Sequence, residues 1–234
     1  MEINQNARAR VELVADSIPV LYVEDFYSDP MEVRAEGLHG SFDHTVAMYP
    51  GRHTRITTEA ARRVVHHVCR LLTAIGERVY EPSTAITDFS ILTTPAKDLL
   101  GVQKHPHIDP TPVLGLVYLN PHLTQGTCFF HNRILGTHTI VGEDQQKRLG
   151  EFLANESDKY EPENYKVADS EAWQKIYTIE GRFNRLVVYP GNVFHSIDVA
   201  DVPAKVPVEE ARLTQRIIVQ DTRPKTTAPQ GAAG

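Results

Sequence analysis

The sequence is poor in several features that would settle the class of a protein at once. Its 234 residues include two cysteines, Cys69 and Cys128, too few and too far apart for a disulfide framework or a cysteine-based zinc site. No apolar run reaches the roughly 20 residues of a membrane-spanning helix, and the first residues lack the charged-then-apolar layout of a secretion signal. Lysine and arginine number 24 against 30 acidic residues, without a basic cluster. These absences predict a cytoplasmic protein with neither nucleic acid nor membrane as a partner.

The residues that are present give an ordinary globular composition. Hydrophobic residues make up 41% of the chain and charged residues 23%, with a formal net charge of −6, so a core of useful size can be buried. We expect a single domain over residues 1–222, with supporting helices and a strand in 1–85 and the core in 86–220. The tail, residues 223–234, is rich in proline, glycine and alanine and is predicted to be disordered. The oligomeric state stays open, with a homodimer as one alternative.

Helical signals come first along the chain. Residues 17–24 predict a strand, and Asp29 followed by Pro30 predicts a helix start with an aspartate cap. The clearest helix signal is "TTEAARRVVHHVCRLLTAIG", which ends at Gly76. The apolar face expected of this helix consists of Val64, Val68, Leu71 and Ile75.

Strand signals dominate after Pro82. Five β-rich runs are bounded by glycine, proline and asparagine: "TAITDFSILTT", "PVLGLVYLN", "GTCFFHN", "NRLVVYPGNVFHSI" and "RLTQRIIVQ". A polar insertion, residues 142–179, separates the third run from the fourth, and we expect it to form a lid. Helices are predicted there in "DQQKRLGEFLANES" and "DSEAWQKI". Helices followed by clustered strands predict the α+β class.

The stretch "KHPHIDPTP" concentrates potential metal ligands. Residues i and i+2 of an extended strand point to the same face, so His107 and Asp109 can act on one ion together. A third donor from a neighbouring strand would complete a set of two histidines and one carboxylate, which leaves open positions on the metal. His195, in "PGNVFHSID", is the natural candidate. His105 competes with His107, and a polar loop beside an ordinary buried histidine is the alternative interpretation.

Several of these segments together resemble a known family. The segments "HPHIDPTPVLGLVYLNP", "GTCFFHN", "GRFNRLVVYPGNVFHSI" and "RLTQRIIV" resemble, in this order, the core of Fe(II)/2-oxoglutarate-dependent dioxygenases, nearest the prolyl-hydroxylase-like branch. The resemblance covers residues 86–220. It implies a double-stranded β-helix (jelly-roll, cupin-like) core supported by the N-terminal helices.

The resemblance also implies an activity. It implies an oxygenase that uses Fe(II), 2-oxoglutarate and O2 to hydroxylate a small molecule, such as an amino acid or a biosynthetic intermediate. Succinate and CO2 would be the co-products. A protein or peptide side-chain hydroxylase of the same class is one alternative. A non-catalytic or zinc-using metal-binding β-barrel is another.

The ligands of the metal follow from the same resemblance. His107, Asp109 and His195 occupy the positions of the family's iron ligands and would be the catalytic centre. An aspartate in this set favours hydroxylation over halogenation.

A second group of residues is implied to bind 2-oxoglutarate. Arg212 would pair with the distal carboxylate of the cosubstrate, because a guanidinium matches a carboxylate with two parallel hydrogen bonds. Thr214 would add a hydroxyl, and Tyr118 matches a position whose phenol contacts the cosubstrate. Arg216 shares their strand face and needs an anion of its own, from the cosubstrate or the substrate. The connection from His195 to Arg212 is longer than is usual in the family, so Arg216 is the alternative to Arg212.

Overall fold

Helices and antiparallel sheets build the protein. The computed structural model describes residues 1–42, 49–165, 168–199, 202–203 and 205–225. Within these ranges the helices are α1 (Pro30–Leu38), α2 (Glu59–Ile75), α3 (Gly101–Lys104) and α4 (Gly142–Asn155). The strands are β1 (Arg8–Val14), β2 (Ile18–Glu24), β3 (Arg52–Arg55), β4 (Arg78–Tyr80), β5 (Ile86–Leu92), β6 (Val113–Tyr118), β7 (Thr127–Asn132), β8 (Trp173–Ile179), β9 (Leu186–Pro190), β10 (His195–Ile197), β11 (Arg212–Val219) and β12 (Thr222–Pro224). The predicted α+β class is confirmed. None of the helices in the described ranges is long and apolar enough to cross a membrane.

The strands form one large sheet and two small ones. The large sheet has seven strands in the order β1-β2-β9-β6-β11-β5-β3, and every pairing in it is antiparallel. The other sheets have the orders β10-β7-β8 and β12-β4. Three strands of the large sheet, β1, β2 and β3, come from the first 85 residues. The N-terminal part is therefore built into the main sheet, in addition to supplying helices.

One face of the large sheet is covered by α2. The Thr58 side chain accepts a hydrogen bond from the Ala61 amide and caps the start of this helix. The buried residues of α2 are Ala61, Val64, Val65, Val68, Cys69 and Leu72. The predicted face was wrong at its end, because the buried stripe stops at Leu72. Ile75, the last residue of α2, projects beyond it and is 49% exposed.

The opposite face of the large sheet packs against the three-stranded sheet. Side chains alternate across β6, so Leu114, Leu116 and Tyr118 point to this second core while Val113 and Val117 join the core beneath α2. The second core also contains apolar residues from β7 and β9. Two sheets with an apolar layer between them leave room for a site enclosed by strands on both sides.

The predicted insertion begins with a helix and ends in a strand. α4 (Gly142–Asn155) confirms the first predicted helix, but "DSEAWQKI" is not helical, and Trp173–Ile179 forms β8. β8 pairs with β7 as the edge of the small sheet. Its tryptophan, isoleucines, tyrosine and threonine favour an extended backbone, whereas Gln174 and Lys175 gave the segment a helical appearance. The end of the predicted insertion is thus part of a sheet.

The ordered part of the chain extends further than predicted. Arg223 and Pro224 lie in β12, which pairs with β4, and the Arg223 guanidinium donates to the Glu81 carboxylate at 2.8 Å. These contacts extend the ordered chain past residue 222. Residues 226–234, the rest of the predicted disordered tail, lie outside the described residues.

Candidate metal centre

Two of the predicted ligands face each other through their backbones. His107 and His195 form an antiparallel bridge in which each amide donates to the other's carbonyl, at 3.0 and 2.8 Å. This pairing sets the two imidazole rings side by side, with centroids 4.5 Å apart. Residues 88 positions apart in the chain are therefore held as neighbours by hydrogen bonds that do not depend on their side chains.

Asp109 is fixed by the turn that connects β9 to β10. Its amide donates to the Gly191 carbonyl at 2.8 Å, and its own carbonyl accepts from the Thr111 amide at the same distance. A Cβ at position 191 would lie 2.4 Å from the Thr111 carbonyl oxygen and 2.9 Å from that of Asp109. Only glycine allows this close approach of two backbones. The glycine of "YPGN" thus shapes the carboxylate end of the site.

The three side chains converge. One ligand atom each from His107, Asp109 and His195 lies within 4.8 Å of the others, and the His195 Nε2 to Asp109 Oδ2 distance is 3.4 Å. Neighbouring ligands of an ion with bonds of about 2.1 Å are roughly 3 Å apart, so a small adjustment of the side chains would suffice to enclose one ion. The donor set of two imidazoles and a carboxylate fits a divalent transition metal such as iron.

The protonation states of His107 and Asp109 favour the binding of a cation. Burial, reinforced by the neighbouring His195, lowers the pKa of His107 to about 4, so this imidazole is neutral at pH 7. Burial alone would raise the pKa of Asp109, but the neighbouring side chains of His195, His107 and Arg216 hold it at about 2. The site therefore presents a free nitrogen lone pair and a carboxylate without having to release protons first.

Two contacts fix the orientation of the His195 imidazole ring. Its Nδ1 lies 2.9 Å from the Val193 carbonyl oxygen and donates to it, which leaves the lone pair on Nε2 facing Asp109. The Tyr189 ring packs edge-on against the imidazole, with centroids 5.2 Å apart. Both contacts lock the ring in the tautomer and direction that a metal ligand needs.

The cluster opens into a cavity of about 260 Å³ between the two sheets. The lining residues are Tyr49, His107, Asp109, Leu114, Leu116, Thr127, Tyr189, His195, Ser196, Ile197, Arg212, Thr214 and Arg216. The described part of the 142–179 segment contributes no lining residue, so its predicted role as a lid stays a prediction. The cavity joins the candidate metal ligands to the three predicted polar residues of β11.

Arg212 carries a charge that no carboxylate of the described residues pairs with. It is 5% exposed, and its guanidinium donates to the carbonyls of Gln125 and Gly126, each at 3.3 Å. Two positions further along the same strand face, the Thr214 hydroxyl is buried and has no hydrogen-bond partner among the described residues. A buried cation and a free hydroxyl together form a site for an anion.

Arg216 differs from Arg212 because it has a carboxylate partner. Its guanidinium makes two hydrogen bonds to Asp88 on the adjacent β5, at 2.8 and 2.5 Å. Behind this pair, Ser90 and His53 are joined at 2.7 Å, and His53 lies 3.8 Å from the Asp88 carboxylate. The anion that we expected Arg216 to need is thus a residue of the chain itself. Sequence reasoning missed Asp88, although an aspartate inside "ITDFSIL" was a signal that a buried cation lies beside it.

Two residues considered in the sequence analysis, Tyr118 and His105, do not line the cavity. The Tyr118 hydroxyl lies 3.1 Å from the Thr127 hydroxyl, and its ring packs 5.6 Å from the Arg212 guanidinium carbon. His105, the competitor of His107, is buried against Trp173 with ring centroids 6.2 Å apart and is not in the donor cluster. The cavity residues Tyr49 and Tyr189 were not predicted. Tyr189 follows the period-two pattern of β9, but no local signal identified Tyr49.

Fold and site define an α+β protein with a candidate metal centre of two histidines and one carboxylate, set between antiparallel sheets. Residues 5–219 match the family of unknown function DUF6445, so the chain belongs to that family. No curated protein matches the sequence.

Solved structures with a similar fold exist. The non-heme alpha ketoglutarate dependent epimerase SnoN from nogalamycin biosynthesis is 12% identical, with 92% of this chain and 86% of that chain covered and a TM-score of 0.50. The non-heme alpha ketoglutarate dependent carbocyclase SnoK is 10% identical over 91% and 84%, with a TM-score of 0.43. A prolyl 4-hydroxylase from Phytophthora capsici is 12% identical over 86% and 58%, with a TM-score of 0.41. At such low identity the likeness to SnoN establishes a shared fold and no more.

Proposed function

We propose that this protein is an Fe(II)- and 2-oxoglutarate-dependent oxygenase, with His107, Asp109 and His195 as the iron ligands. The observation that carries the proposal is the convergence of these three donors, within 4.8 Å, at one end of a cavity whose other polar groups suit an anion. Two imidazoles and one carboxylate on one face of an ion leave the remaining positions to a cosubstrate and O2. The fold shared with SnoN is consistent with this class.

Within this proposal, the two packed sheets are a double-stranded β-helix. The cavity is lined by β6, β9 and β11 from the large sheet and by β7 and β10 from the small one. Such a layout places ligands from different strands around one enclosed point, as the site requires.

Arg212 is the proposed partner of the distal carboxylate of 2-oxoglutarate. Its guanidinium is buried beside the Thr214 hydroxyl, and among the described residues the first has no carboxylate partner and the second no partner at all, so a carboxylate would satisfy both groups. Arg216 is already paired with Asp88, which favours Arg212 between the two alternatives. A cosubstrate held in this way would present its keto acid end to the metal ligands.

The proposed reaction is the hydroxylation of a small molecule. Bound Fe(II), 2-oxoglutarate and O2 would supply the oxidation of an unactivated C–H bond, with succinate and CO2 as co-products. The chain's own contribution is to orient His195 through the Val193 carbonyl and to exclude water with Leu114, Leu116 and Ile197. A cavity of about 260 Å³ suits a compact cosubstrate next to the reacting part of a small substrate.

The proposal is tested by anaerobic titration of the Fe(II)-loaded protein with 2-oxoglutarate, followed through the charge-transfer absorption of the complex. His107→Ala should lose Fe(II) affinity. Arg212→Ala should keep Fe(II) and bind 2-oxoglutarate about a hundredfold more weakly, since two hydrogen bonds to a charged group are lost. Arg182→Ala is the matched control, because the Arg182 side chain is 59% exposed and pairs with Glu180.

Two outcomes would contradict the proposal. An unchanged 2-oxoglutarate affinity in Arg212→Ala would reject the assignment of the anion site. Wild-type protein that binds Fe(II) but neither binds 2-oxoglutarate nor releases succinate with pools of small metabolites would reject the oxygenase.

A further inference from the structure

The cavity wall contains hydroxyl groups that the fold leaves without partners. The Tyr49, Tyr189 and Thr214 hydroxyl oxygens are buried, and none has a hydrogen-bond partner among the described residues. Buried hydroxyls are nearly always paired, and an unpaired one is costly. All three line the same cavity, so a ligand with several acceptor atoms would satisfy groups that the protein itself does not.

Tyr49 reaches the cavity from outside the strands that carry the predicted site. It lies in the short segment that precedes β3, where Gly51 approaches β5 so closely that a Cβ would be 2.1 Å from the Ile91 carbonyl oxygen. The Tyr49 ring packs against that of His53, with centroids 4.8 Å apart. These contacts hold the phenol at the part of the cavity that β11 lines.

In that part of the cavity the phenol lies beside both arginines. The Arg216 guanidinium carbon is 5.9 Å from the centre of the Tyr49 ring. Burial raises the pKa of Tyr49, and the nearby charges of Arg212 and Arg216, together with an Arg212 N–H directed at the phenol oxygen, oppose this rise. The phenol therefore keeps its proton and is a hydrogen-bond donor.

The other two tyrosines of the site are placed differently. The Tyr118 hydroxyl is already joined to Thr127, and the Tyr189 ring lies against His195, at the metal end. Tyr49 combines a hydroxyl that has no acceptor among the described residues with a position beside both Arg212 and Arg216, whereas Tyr189 lies beside Arg212 and a metal ligand.

We propose that Tyr49 donates its hydroxyl hydrogen to the carboxylate bound at Arg212 and so helps to position the cosubstrate. The inference rests on the proposed function, because the carboxylate is that of 2-oxoglutarate. It adds a binding residue from the N-terminal segment, next to Thr214 on β11. Arginine, threonine and tyrosine then supply donors from two separate parts of the fold to one carboxylate, which has room for all of them.

The test compares Tyr49→Phe with the wild type in two measurements. The first is the dissociation constant of 2-oxoglutarate in the anaerobic Fe(II) protein, which should rise about tenfold because a hydrogen bond to a charged group is lost. The affinity for Fe(II) alone should not change. The second is the unfolding midpoint of the ligand-free protein, which should not fall, because no described residue accepts a hydrogen bond from this hydroxyl.

Tyr27→Phe is the matched control. The Tyr27 hydroxyl is also buried, but it donates to Gln215 at 2.5 Å on the other face of β11. This variant should lower the unfolding midpoint and leave the dissociation constant unchanged. A wild-type dissociation constant in Tyr49→Phe, or a loss of stability like that of Tyr27→Phe, would overturn the inference. If the wild-type protein itself does not bind 2-oxoglutarate, the proposed function fails, and this inference fails with it.

Discussion

The pairing of Asp88 with Arg216 makes a quantitative prediction for Asp88→Asn. The variant keeps the shape of the side chain but leaves the Arg216 guanidinium, only 21% exposed, without a carboxylate. Breaking a buried pair by removing one partner costs about 3–5 kcal/mol. Because Arg216 is partly exposed and asparagine retains one acceptor oxygen, we expect the free energy of unfolding at pH 7 to fall by about 2–3 kcal/mol.

Urea unfolding at several pH values is the assay. Burial would raise the pKa of Asp88, but the hydrogen bonds and charges of Arg216 and His53 lower it below the usual 3.8. The stabilisation is therefore fully present above the ordinary pKa and is lost as the pH falls through the lower value of the folded state. The difference between wild type and variant should shrink in that acidic range.

A double variant distinguishes the loss of this ion pair from a general loss of packing. Asp88→Asn combined with Arg216→Met removes both charges and should recover most of the lost stability, because no buried cation is left unpaired. An unchanged free energy of unfolding in Asp88→Asn at pH 7 would refute the conclusion that Asp88 compensates the charge of Arg216. A double variant less stable than the single one would refute it as well.

Two further substitutions test other parts of the structure. Gly191→Ala should weaken Fe(II) binding at least tenfold in a chelator competition, because a Cβ would lie 2.4 Å from the Thr111 carbonyl oxygen. Gly150→Ala, with nothing within 4 Å of its added Cβ in α4, should instead stabilise the protein by about 0.5–1 kcal/mol and leave Fe(II) binding unchanged. Trp173→Ala should cost about 3–5 kcal/mol in urea unfolding, since the side chain is 1% exposed, whereas Leu153→Ala, at 46% exposure, should cost under about 1 kcal/mol. Equal losses for the last two variants would contradict the assigned burial.

The sequence predicted those parts of the fold whose signals are local. The β-rich runs "PVLGLVYLN" and "RLTQRIIVQ" identify strands by themselves, and the aspartate cap and the proline at the first position of α1 fix its first turn. The His-x-Asp spacing identified two donors that the structure brings to one point. β8 was missed because its polar residues resemble a helix surface, while its strand pairing depends on β7, about forty residues away.

Contacts between distant segments could not be predicted in this way. Asp88 and Arg216 are neighbours only because β5 and β11 are adjacent in the sheet, and no local pattern specifies that adjacency. Tyr49 enters the cavity because the backbone at Gly51 packs against β5, which is a property of the folded sheet. Sequence patterns therefore do not identify the residues that distant segments contribute to the site.

The two arginines of β11 show why the pairing with Asp88 matters for the proposed chemistry. Arg212 and Arg216 lie on one strand face, so either could attract an anion into the cavity. The pairing with Asp88 on β5 satisfies Arg216, whose charge acts on His107 and Asp109, and it leaves Arg212 as the guanidinium of this face without a carboxylate partner among the described residues. Under the proposed function, a diacid bound at Arg212 by one carboxylate would extend through the cavity towards His107, Asp109 and His195. The position of the guanidinium without a carboxylate partner would then set the orientation of the cosubstrate.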